Sequence, residues 1–390
     1  MSSIDWPTPA KPRLDDMTWT QWSAFRTCGL RFAYLVDPLG EAWNRTTEAM
    51  ALGTVSHVLA DEAARGKITT SDNDDPVKVI HERFDELALE QHASMVNQWG
   101  TSAVPAPRRW PRYFHLRATV GHELAGAVLQ RSPNSARVNF WPPESVTPPG
   151  NPAPPAPGER RTEISLVDAE RGLRGRLDVV STARDGTIEV IDLKSRIDGD
   201  EASIALGRAQ LTFYAGLVEA VWGQVPDLFL VAPDGSRIRV PCTAADIAQL
   251  RLEIDGYRRE AASQSIREMA NASAKNCARC PFSVLCPEFR DFLRLEQHEE
   301  SVPWGINAAW GVVISVTHAA SSSSITIRQQ DDLSIGPGDV TVTRLARDLA
   351  VSPGDSVVVV GGTVQGERSY LHATWSSKVR VGPQAALSAN

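Results

Sequence analysis

Two aspartates and a lysine lie on neighbouring segments that have the pattern of β-strands. Asp178 falls within 173–182, and Asp192 and Lys194 fall within 187–195. Side chains two residues apart on a strand point to the same face, so Asp192 and Lys194 project together, and the adjacent strand can bring Asp178 beside them. Burying such a cluster is unfavourable unless another charge compensates it. Carboxylate oxygens suit Mg²⁺ or Mn²⁺, and the pattern therefore predicts a divalent metal site.

This set of side chains suits the hydrolysis of a phosphodiester. A divalent ion held by Asp178 and Asp192 would polarise the phosphate and lower the pKa of a bound water. Lys194 would orient that water or neutralise charge that develops on the phosphate in the transition state. The alternative, for the tripeptide from Asp192 to Lys194 taken alone, is an ordinary surface ion pair, because D-x-K is a common sequence.

Four short motifs follow one another along the chain around these residues. In chain order they are G-x-x-x-H ending at His57, G-R-x-D ending at Asp178, D-x-K ending at Lys194 and Q-x-x-x-Y ending at Tyr214. Gln210 and Tyr214 are four residues apart and therefore share one face of a predicted helix. The ordered set resembles the RecB/AddB-like branch of the PD-(D/E)xK nucleases.

The resemblance implies a restriction-endonuclease-like core with a mixed sheet. It also implies that a metal ion is held by the side chains of His57, Asp178 and Asp192 and by the backbone carbonyl of Leu193. DNA, single-stranded or with free ends, would be the substrate.

The same resemblance implies which residues take part in catalysis. Lys194 would be catalytic, while Gln210 and Tyr214 would position the DNA backbone or the active-site lysine. Glu163, on the first predicted strand, matches an acidic position of some relatives. The predicted catalytic residues are, in chain order, Glu163, Asp178, Asp192, Lys194, Gln210 and Tyr214.

The cysteines form a second candidate site. Cys277, Cys280 and Cys286 have the spacing C-x₂-C-x₅-C, which is typical of both zinc and iron–sulfur sites. Three ligands leave one position open, and Cys28 and Cys242 are the remaining cysteines of the chain. In a chain with no secretion signal, clustered cysteines indicate metal binding rather than disulfides.

The cysteine pattern resembles the iron–sulfur subset of the same nuclease branch, which includes AddB, exonuclease V and the CRISPR-associated RecB-like nucleases. The resemblance implies that a [4Fe–4S] cluster is bound by Cys28, Cys277, Cys280 and Cys286, and that Cys242 is an ordinary buried thiol. The cluster would join the two ends of the nuclease domain, which are otherwise costly to bring together. A zinc site with the same ligands is the alternative that spacing leaves open.

The elements that position these residues follow from periodicity. A capping box from Thr18 to Gln21 predicts that a helix begins there. The predicted helices are 18–35, 48–65, 76–99, 111–131, 203–222 and 243–263; the predicted strands are 162–168, 173–182, 187–195, 227–232 and 236–240. Tight turns are predicted at Asp185-Gly186 and Asp234-Gly235, and the proline-rich segment 141–158 is predicted to be a loop. The order predicts an α/β core with a mixed sheet.

The composition changes after a predicted linker at 297–305. Strands are predicted at 310–317, 323–328, 338–343, 356–361 and 369–380, with a short helix at 343–349. This layout predicts a small β-barrel that resembles an OB-fold, which would either guide single-stranded nucleic acid or dock a protein. We therefore expect two domains, a nuclease domain at 1–296 and the barrel at 305–390.

Composition narrows the classes of function. Hydrophobic residues make up 42% of the 390, enough for folded cores, and the net charge of −7 argues against a protein covered by nucleic acid. Arginines are dense at 108–117 and 160–176, which predicts either a basic face or solvated surface side chains. No signal peptide or membrane-spanning stretch is recognisable. We therefore expect the protein to be cytoplasmic and not to associate with a membrane.

Two hypotheses follow. The first is a metal-dependent DNA nuclease, an exonuclease acting in DNA repair or in defence against foreign DNA. The second is a non-catalytic DNA-binding or scaffold subunit of a helicase–nuclease complex. The intact Asp178, Asp192 and Lys194 favour the enzyme. Because no phosphate-binding loop of the ATPase type is recognisable, any helicase would be a separate partner.

Overall fold

The computed structural model describes residues 6–41, 43–64, 66–69, 74–99, 104–129, 150–194, 201–231, 236–277, 280–296, 307–329, 338–347, 349–365, 370–374 and 377–384. Two β-sheets and a set of α-helices form within these ranges. Three predicted features lie outside the described residues: the turn at Asp234-Gly235, the linker 297–305 and most of the proline-rich segment. No helix in the described ranges is long and apolar enough to cross a membrane.

The helices lie mainly before and around the first sheet. They are α1 (Trp19–Thr27), α2 (Gly29–Val36), α3 (Pro38–Glu41), α4 (Glu48–Ala64), α5 (Pro76–Trp99), α6 (Tyr113–Leu129), α7 (Glu201–Trp222), α8 (Ala244–Ser263), α9 (Ala274–Cys277) and α10 (Pro287–Glu296). A 3₁₀ turn, Pro107–Arg109, precedes α6. The five predicted helices after residue 40 correspond to α4 to α8, with ends that differ by at most two residues.

The predicted single helix at 18–35 is wrong at its centre. The capping box is present, because Thr18 Oγ1 accepts a hydrogen bond from the Gln21 backbone and the Gln21 side chain accepts one from the Thr18 backbone. The chain then becomes extended at Cys28, with φ −167° and ψ 115°, and ends α1. The Gly29 N–H donates to the carbonyl of Met269 at 2.8 Å instead of continuing the helix. Cys28 therefore lies between α1 and α2.

The first sheet contains five strands in sequence order: β1 (Arg160–Asp168), β2 (Leu173–Thr182), β3 (Ile188–Leu193), β4 (Asp227–Val231) and β5 (Arg237–Val240). Neighbours are antiparallel except β3 and β4, which are parallel and are joined by α7. A parallel pair needs such a crossover. The predicted mixed-sheet core is confirmed.

Helix α7 packs closely against this sheet. Leu230 of β4 is 1% exposed, and its Cδ1 would lie 2.8 Å from a Cβ atom at Gly207 of α7. Only glycine allows this approach without displacing the leucine. Leu211 and Phe213 of α7 lie in the same buried core, together with Trp22 of α1. The sheet, α1, α7 and α8 therefore share one hydrophobic core.

Helices α4, α5 and α6 form a second core of their own. Leu59, Phe84 and Tyr113 are among its buried members. The Tyr113 hydroxyl donates to Asp85 at 2.6 Å, and Arg117 forms an ion pair with the same carboxylate. Helix α4 of this layer contacts β1, because the Thr162 hydroxyl donates to Asp61 at 3.4 Å.

The second sheet contains the strands β6 (Ala308–His318), β7 (Ser323–Gln329), β8 (Asp339–Leu345), β9 (Asp355–Val360), β10 (Thr363–Gln365), β11 (Tyr370–His372) and β12 (Lys378–Gln384). Their order is β10-β11-β8-β7-β6-β9-β12. Within the described ranges, β10 pairs with β11 and β12 pairs with β9, so the two edge strands do not close a barrel. The predicted OB-like barrel is therefore not confirmed, and the predicted strand 369–380 is divided between β11 and β12.

The predicted short helix at 343–349 is wrong. Strand β8 continues to Leu345, which pairs with Ser323 of β7. On its other side Thr343 pairs with His372 of β11. Hydrogen bonding to two neighbouring strands thus outweighs the local helical pattern, as tertiary context often does.

Destabilisation by Leu230→Ala tests the packing of α7 on the sheet. We expect a loss of roughly 2–5 kcal/mol in the free energy of unfolding, because truncation leaves a cavity opposite Gly207. Urea unfolding followed by circular dichroism measures it. The matched control is Leu252→Ala in α8, where the leucine is 63% exposed and the expected change is within about 0.5 kcal/mol. Equal effects of the two substitutions would contradict this packing.

Candidate active site

Three carboxylates lie side by side across β1, β2 and β3. The pairs Thr162–Val179 and Ile164–Leu177 flank Glu163 and Asp178, and the pair Val179–Ile191 adjoins Asp178 and Asp192. Asp192 is 2% exposed. Asp178 Oδ2 accepts a hydrogen bond from the Leu193 backbone N–H at 2.9 Å, which ties β2 to the end of β3. The sheet register therefore creates the acidic cluster that the sequence predicts.

Glu163 interrupts the β1 strand. Its φ is 56°, in the left-handed region that a non-glycine residue seldom adopts within a strand. The ladder with β2 skips this residue and resumes at Ile164. Strained backbone of this kind is concentrated at functional sites. The conformation is an independent reason to examine Glu163, which the family resemblance had already suggested.

Lys194 lies at the end of β3 in a chain of polar contacts. Its backbone N–H donates to the Val231 carbonyl at 2.9 Å. Its Nζ lies 2.6 Å from Asp192 Oδ2 and donates to Gln210 Oε1 at 2.7 Å. The Gln210 side chain in turn donates to the Tyr214 hydroxyl at 3.1 Å. Of the two predicted roles for Gln210 and Tyr214, the geometry favours positioning the lysine.

The glycine of the G-R-x-D motif makes room for this chain of contacts. A Cβ atom at Gly175 of β2 would lie 2.8 Å from Leu217 and 3.0 Å from the Tyr214 ring. Both partners belong to α7, so the glycine lets that helix approach β2. Burial raises the pKa of Tyr214 to about 12, and its hydroxyl therefore stays protonated at neutral pH.

His57 reaches the carboxylates from α4 in the helical layer. One ligand atom from each of His57, Glu163 and Asp178 can be chosen so that all lie within 4.8 Å of one another. One imidazole nitrogen and two carboxylate oxygens form a donor set that suits a divalent cation. Asp192 lies next to this group but contacts Lys194 directly. The predicted ligation by Asp192 and by the Leu193 carbonyl stays a prediction.

Electrostatics at this cluster favour the uptake of a cation. Burial raises the pKa of Asp178 and of Asp192, and the negative charge of a neighbouring carboxylate raises each further, while Lys194 opposes both shifts. Burial lowers the pKa of His57, although Glu163 and Asp192 oppose this effect. A neutral imidazole is the form that binds metal. Three ionised carboxylates carry more negative charge than Lys194 and Arg176, which pair with Asp192 and Glu163, together balance.

Arg176, the second residue of G-R-x-D, has a contact that sequence reasoning missed. Its Nε lies 2.6 Å from Glu163 Oε2, and its side chain is 71% exposed. Three of the other four arginines in the second dense stretch also have acidic partners: Arg161 pairs with Glu159, Arg171 with Asp168 and Arg174 with Asp16. These pairs do not form the simple basic face that was one of the two predictions.

The four predicted cluster ligands line one small cavity. Cys28 comes from the junction of α1 and α2, Cys277 ends α9, and Cys280 and Cys286 lie on the turns before α10. Burial raises the pKa of the Cys286 thiol and of the Cys277 thiol, and the other cysteines raise both further. Cys28 and Cys277, which are far apart in sequence, thus line the same cavity.

Backbone donors point at two of these sulfurs. The Asn271 N–H donates to Cys28 Sγ at 3.3 Å, and the Phe289 N–H donates to Cys286 Sγ at 3.4 Å. Such donors stabilise negative charge on sulfur. Cys242 lies apart from the cavity, half-buried against the core of the first sheet.

Comparison with known proteins supports one family. Residues 16–287 match the PD-(D/E)XK nuclease superfamily. No curated protein matches the chain. Among solved structures, the crystal structure of SSO0001 is similar at 15% identity with a TM-score of 0.26, over 61% of this chain and 97% of that one; a likeness at this level carries no argument.

The superfamily match spans more than half of the chain and runs from before α1 to the start of α10. It therefore includes both the carboxylate–lysine cluster and the four cysteines of the cavity. The chain belongs to the PD-(D/E)XK nuclease superfamily.

Proposed function

We propose that this protein is a metal-dependent nuclease that hydrolyses phosphodiester bonds in DNA. The observation that carries the proposal is the position of Lys194, whose ammonium lies between Asp192 and Gln210 beside the group of His57, Glu163 and Asp178. A surface ion pair, the alternative for the D-x-K tripeptide, would not need a buried aspartate or a helix that supports the lysine.

The residues of the site divide the work. His57, Glu163 and Asp178 would hold a Mg²⁺ or Mn²⁺ ion, with Asp192 as a further candidate ligand. The bound ion would supply Lewis-acid activation of the phosphate and of water. The Lys194 ammonium donates one N–H to Gln210 and forms an ion pair with Asp192, and an ammonium has three N–H donors. A third can donate to a phosphate oxygen or to the attacking water.

Gln210 and Tyr214 are positioning residues in this proposal. Neither needs to touch DNA, because the glutamine holds the lysine and the tyrosine holds the glutamine. Such support matters because a catalytic charge must already be oriented when the substrate binds. A freely rotating lysine would have to give up conformational entropy to reach that orientation.

The proposal also covers the form of DNA that is cleaved and the process in which the protein acts. The motif order ending at His57, Asp178, Lys194 and Tyr214 resembles that of RecB/AddB-like nucleases, which supports single-stranded DNA or DNA ends as substrate. A role in DNA repair or in defence against foreign DNA, with a separate helicase as partner, follows from the same resemblance.

We also propose that the cysteine cavity binds a [4Fe–4S] cluster. The contacts that support it are the convergence of the four thiols and the backbone N–H groups directed at Cys28 and Cys286. Bound there, the cluster would tie the α1–α2 junction to the segment before α10, since Cys28 and Cys286 belong to these two places.

Loss of nuclease activity in Lys194→Ala tests the catalytic proposal. With labelled single-stranded DNA and Mn²⁺ we expect a cleavage rate at least about 100-fold lower than that of the wild type, because the preorganised ammonium is removed. The matched control is Lys78→Ala, since Lys78 also faces a carboxylate, Glu82 at 3.9 Å, but is 73% exposed. Wild-type cleavage by Lys194→Ala, or cleavage that survives chelation of metal, would contradict the proposal.

Mn²⁺ binding to Glu163→Gln tests the assignment of that carboxylate. Calorimetric titration should show binding weaker by about tenfold or more. Glu189→Gln is a close control, because the two glutamates have similar surroundings. The Glu189 side chain is 26% exposed with an arginine nitrogen at 3.1 Å, and the Glu163 side chain is 24% exposed with an arginine nitrogen at 2.6 Å. Equal Mn²⁺ affinities of the two variants would remove Glu163 from the ligand set.

Metal analysis of protein purified without air tests the cluster. We expect about four iron atoms per chain with matching acid-labile sulfide. Cys286→Ser should lose the iron, whereas Cys242→Ser should keep it, because only the first thiol lines the cavity. Zinc in place of iron in the wild type would overturn the [4Fe–4S] assignment.

A further inference from the structure

The second sheet contacts the wall of the cysteine cavity through a lysine that hydrogen-bonds to two of the lining residues. Lys378, the first residue of β12, donates from Nζ to the carbonyl oxygen of Cys280 at 2.5 Å. The same ammonium lies 3.4 Å from Ser283 Oγ. Both partners belong to the loop that carries three of the four cysteines. Lys378 is 98 residues from Cys280 in sequence, and the superfamily match ends before the second sheet begins.

The surroundings of this lysine are apolar. Trp310, Val358 and Val360 of the second sheet share a buried core with Phe282 and Leu285 of the cysteine loop. An ammonium group next to such a core is unfavourable unless an opposite charge compensates it. A carbonyl and a hydroxyl are its hydrogen-bond partners here, and neither carries a charge.

The cysteine cavity can supply that charge. Four thiolates carry more negative charge than either a zinc ion or a [4Fe–4S] core neutralises, so a metal–thiolate group in this cavity is an anion. Arg31 of α2 also lines the cavity. The positive charge near the cavity therefore comes both from α2 and from Lys378 of the second sheet. Positive groups near metal-bound sulfur stabilise it and raise its reduction potential.

We propose that Lys378 is the counter-ion of the metal–thiolate group, so that the second sheet completes the cysteine centre. The inference rests on the proposed binding of metal by the four cysteines, but not on whether the metal is iron or zinc. It gives the second sheet a role at the nuclease domain that is independent of contact with DNA. Lys378 would not bind the metal itself. It would act on the metal–thiolate group through its charge and through its hydrogen bond to the Cys280 carbonyl.

The test compares Lys378→Met with Lys378→Arg in the full-length protein purified without air. Methionine keeps the length of the side chain and removes the charge, whereas arginine keeps the charge. The release of metal to a chelator should be about tenfold faster in Lys378→Met and close to the wild-type rate in Lys378→Arg. If the group is iron–sulfur, its reduction potential should fall in the methionine variant only.

Lys11→Met is the matched control, because Lys11 also donates to backbone carbonyls, but these belong to Ala262 and Gln264, which do not line the cavity. Its release rate should equal that of the wild type. A Lys378→Met protein that keeps its metal as long as the wild type would overturn this inference and leave the cysteine site intact. A wild-type protein without bound metal would overturn both.

Discussion

Carboxylates of like charge are forced together in this fold by the register of three strands. The pairs that flank them place Asp178 of β2 next to Asp192 of β3 and Glu163 of β1 next to Asp178, and burial makes the ionised forms of Asp178 and Asp192 costly. The described structure supplies two nearby cations, Lys194 beside Asp192 and Arg176 beside Glu163. A divalent cation is the simplest group that balances the rest. The other parts of the site can be understood as ways of keeping this cluster together.

Each neighbouring element contributes one part of that support. Helix α4 brings His57, and α7 brings Gln210 and Tyr214, which hold the lysine. Close approach of α7 to the sheet depends on two glycines, Gly175 of β2 and Gly207 of α7. The cysteine cavity lies where the junction of α1 and α2 meets the segment before α10. The second sheet in turn shares a hydrophobic core with that cavity.

Much of this could be predicted from local pattern. Period-two alternation located β1 to β5, and the i, i+4 spacing of Gln210 and Tyr214 located their common face. What failed depends on contacts distant in sequence. The break at Cys28 requires the Met269 carbonyl, and the strand at 343–345 requires pairing with β7 and β11. The left-handed backbone of Glu163 and the approach of Lys378 to Cys280 leave no trace in composition or spacing.

The central claim is that the carboxylate cluster is a divalent metal site with Lys194 beside it. Diffraction from crystals soaked in Mn²⁺, measured at the manganese absorption edge, tests this most directly. The account predicts one strong anomalous peak in contact with His57, Glu163 and Asp178, with the Lys194 ammonium still bonded to Gln210. The absence of a peak at these side chains in crystals that bind Mn²⁺ elsewhere would contradict it.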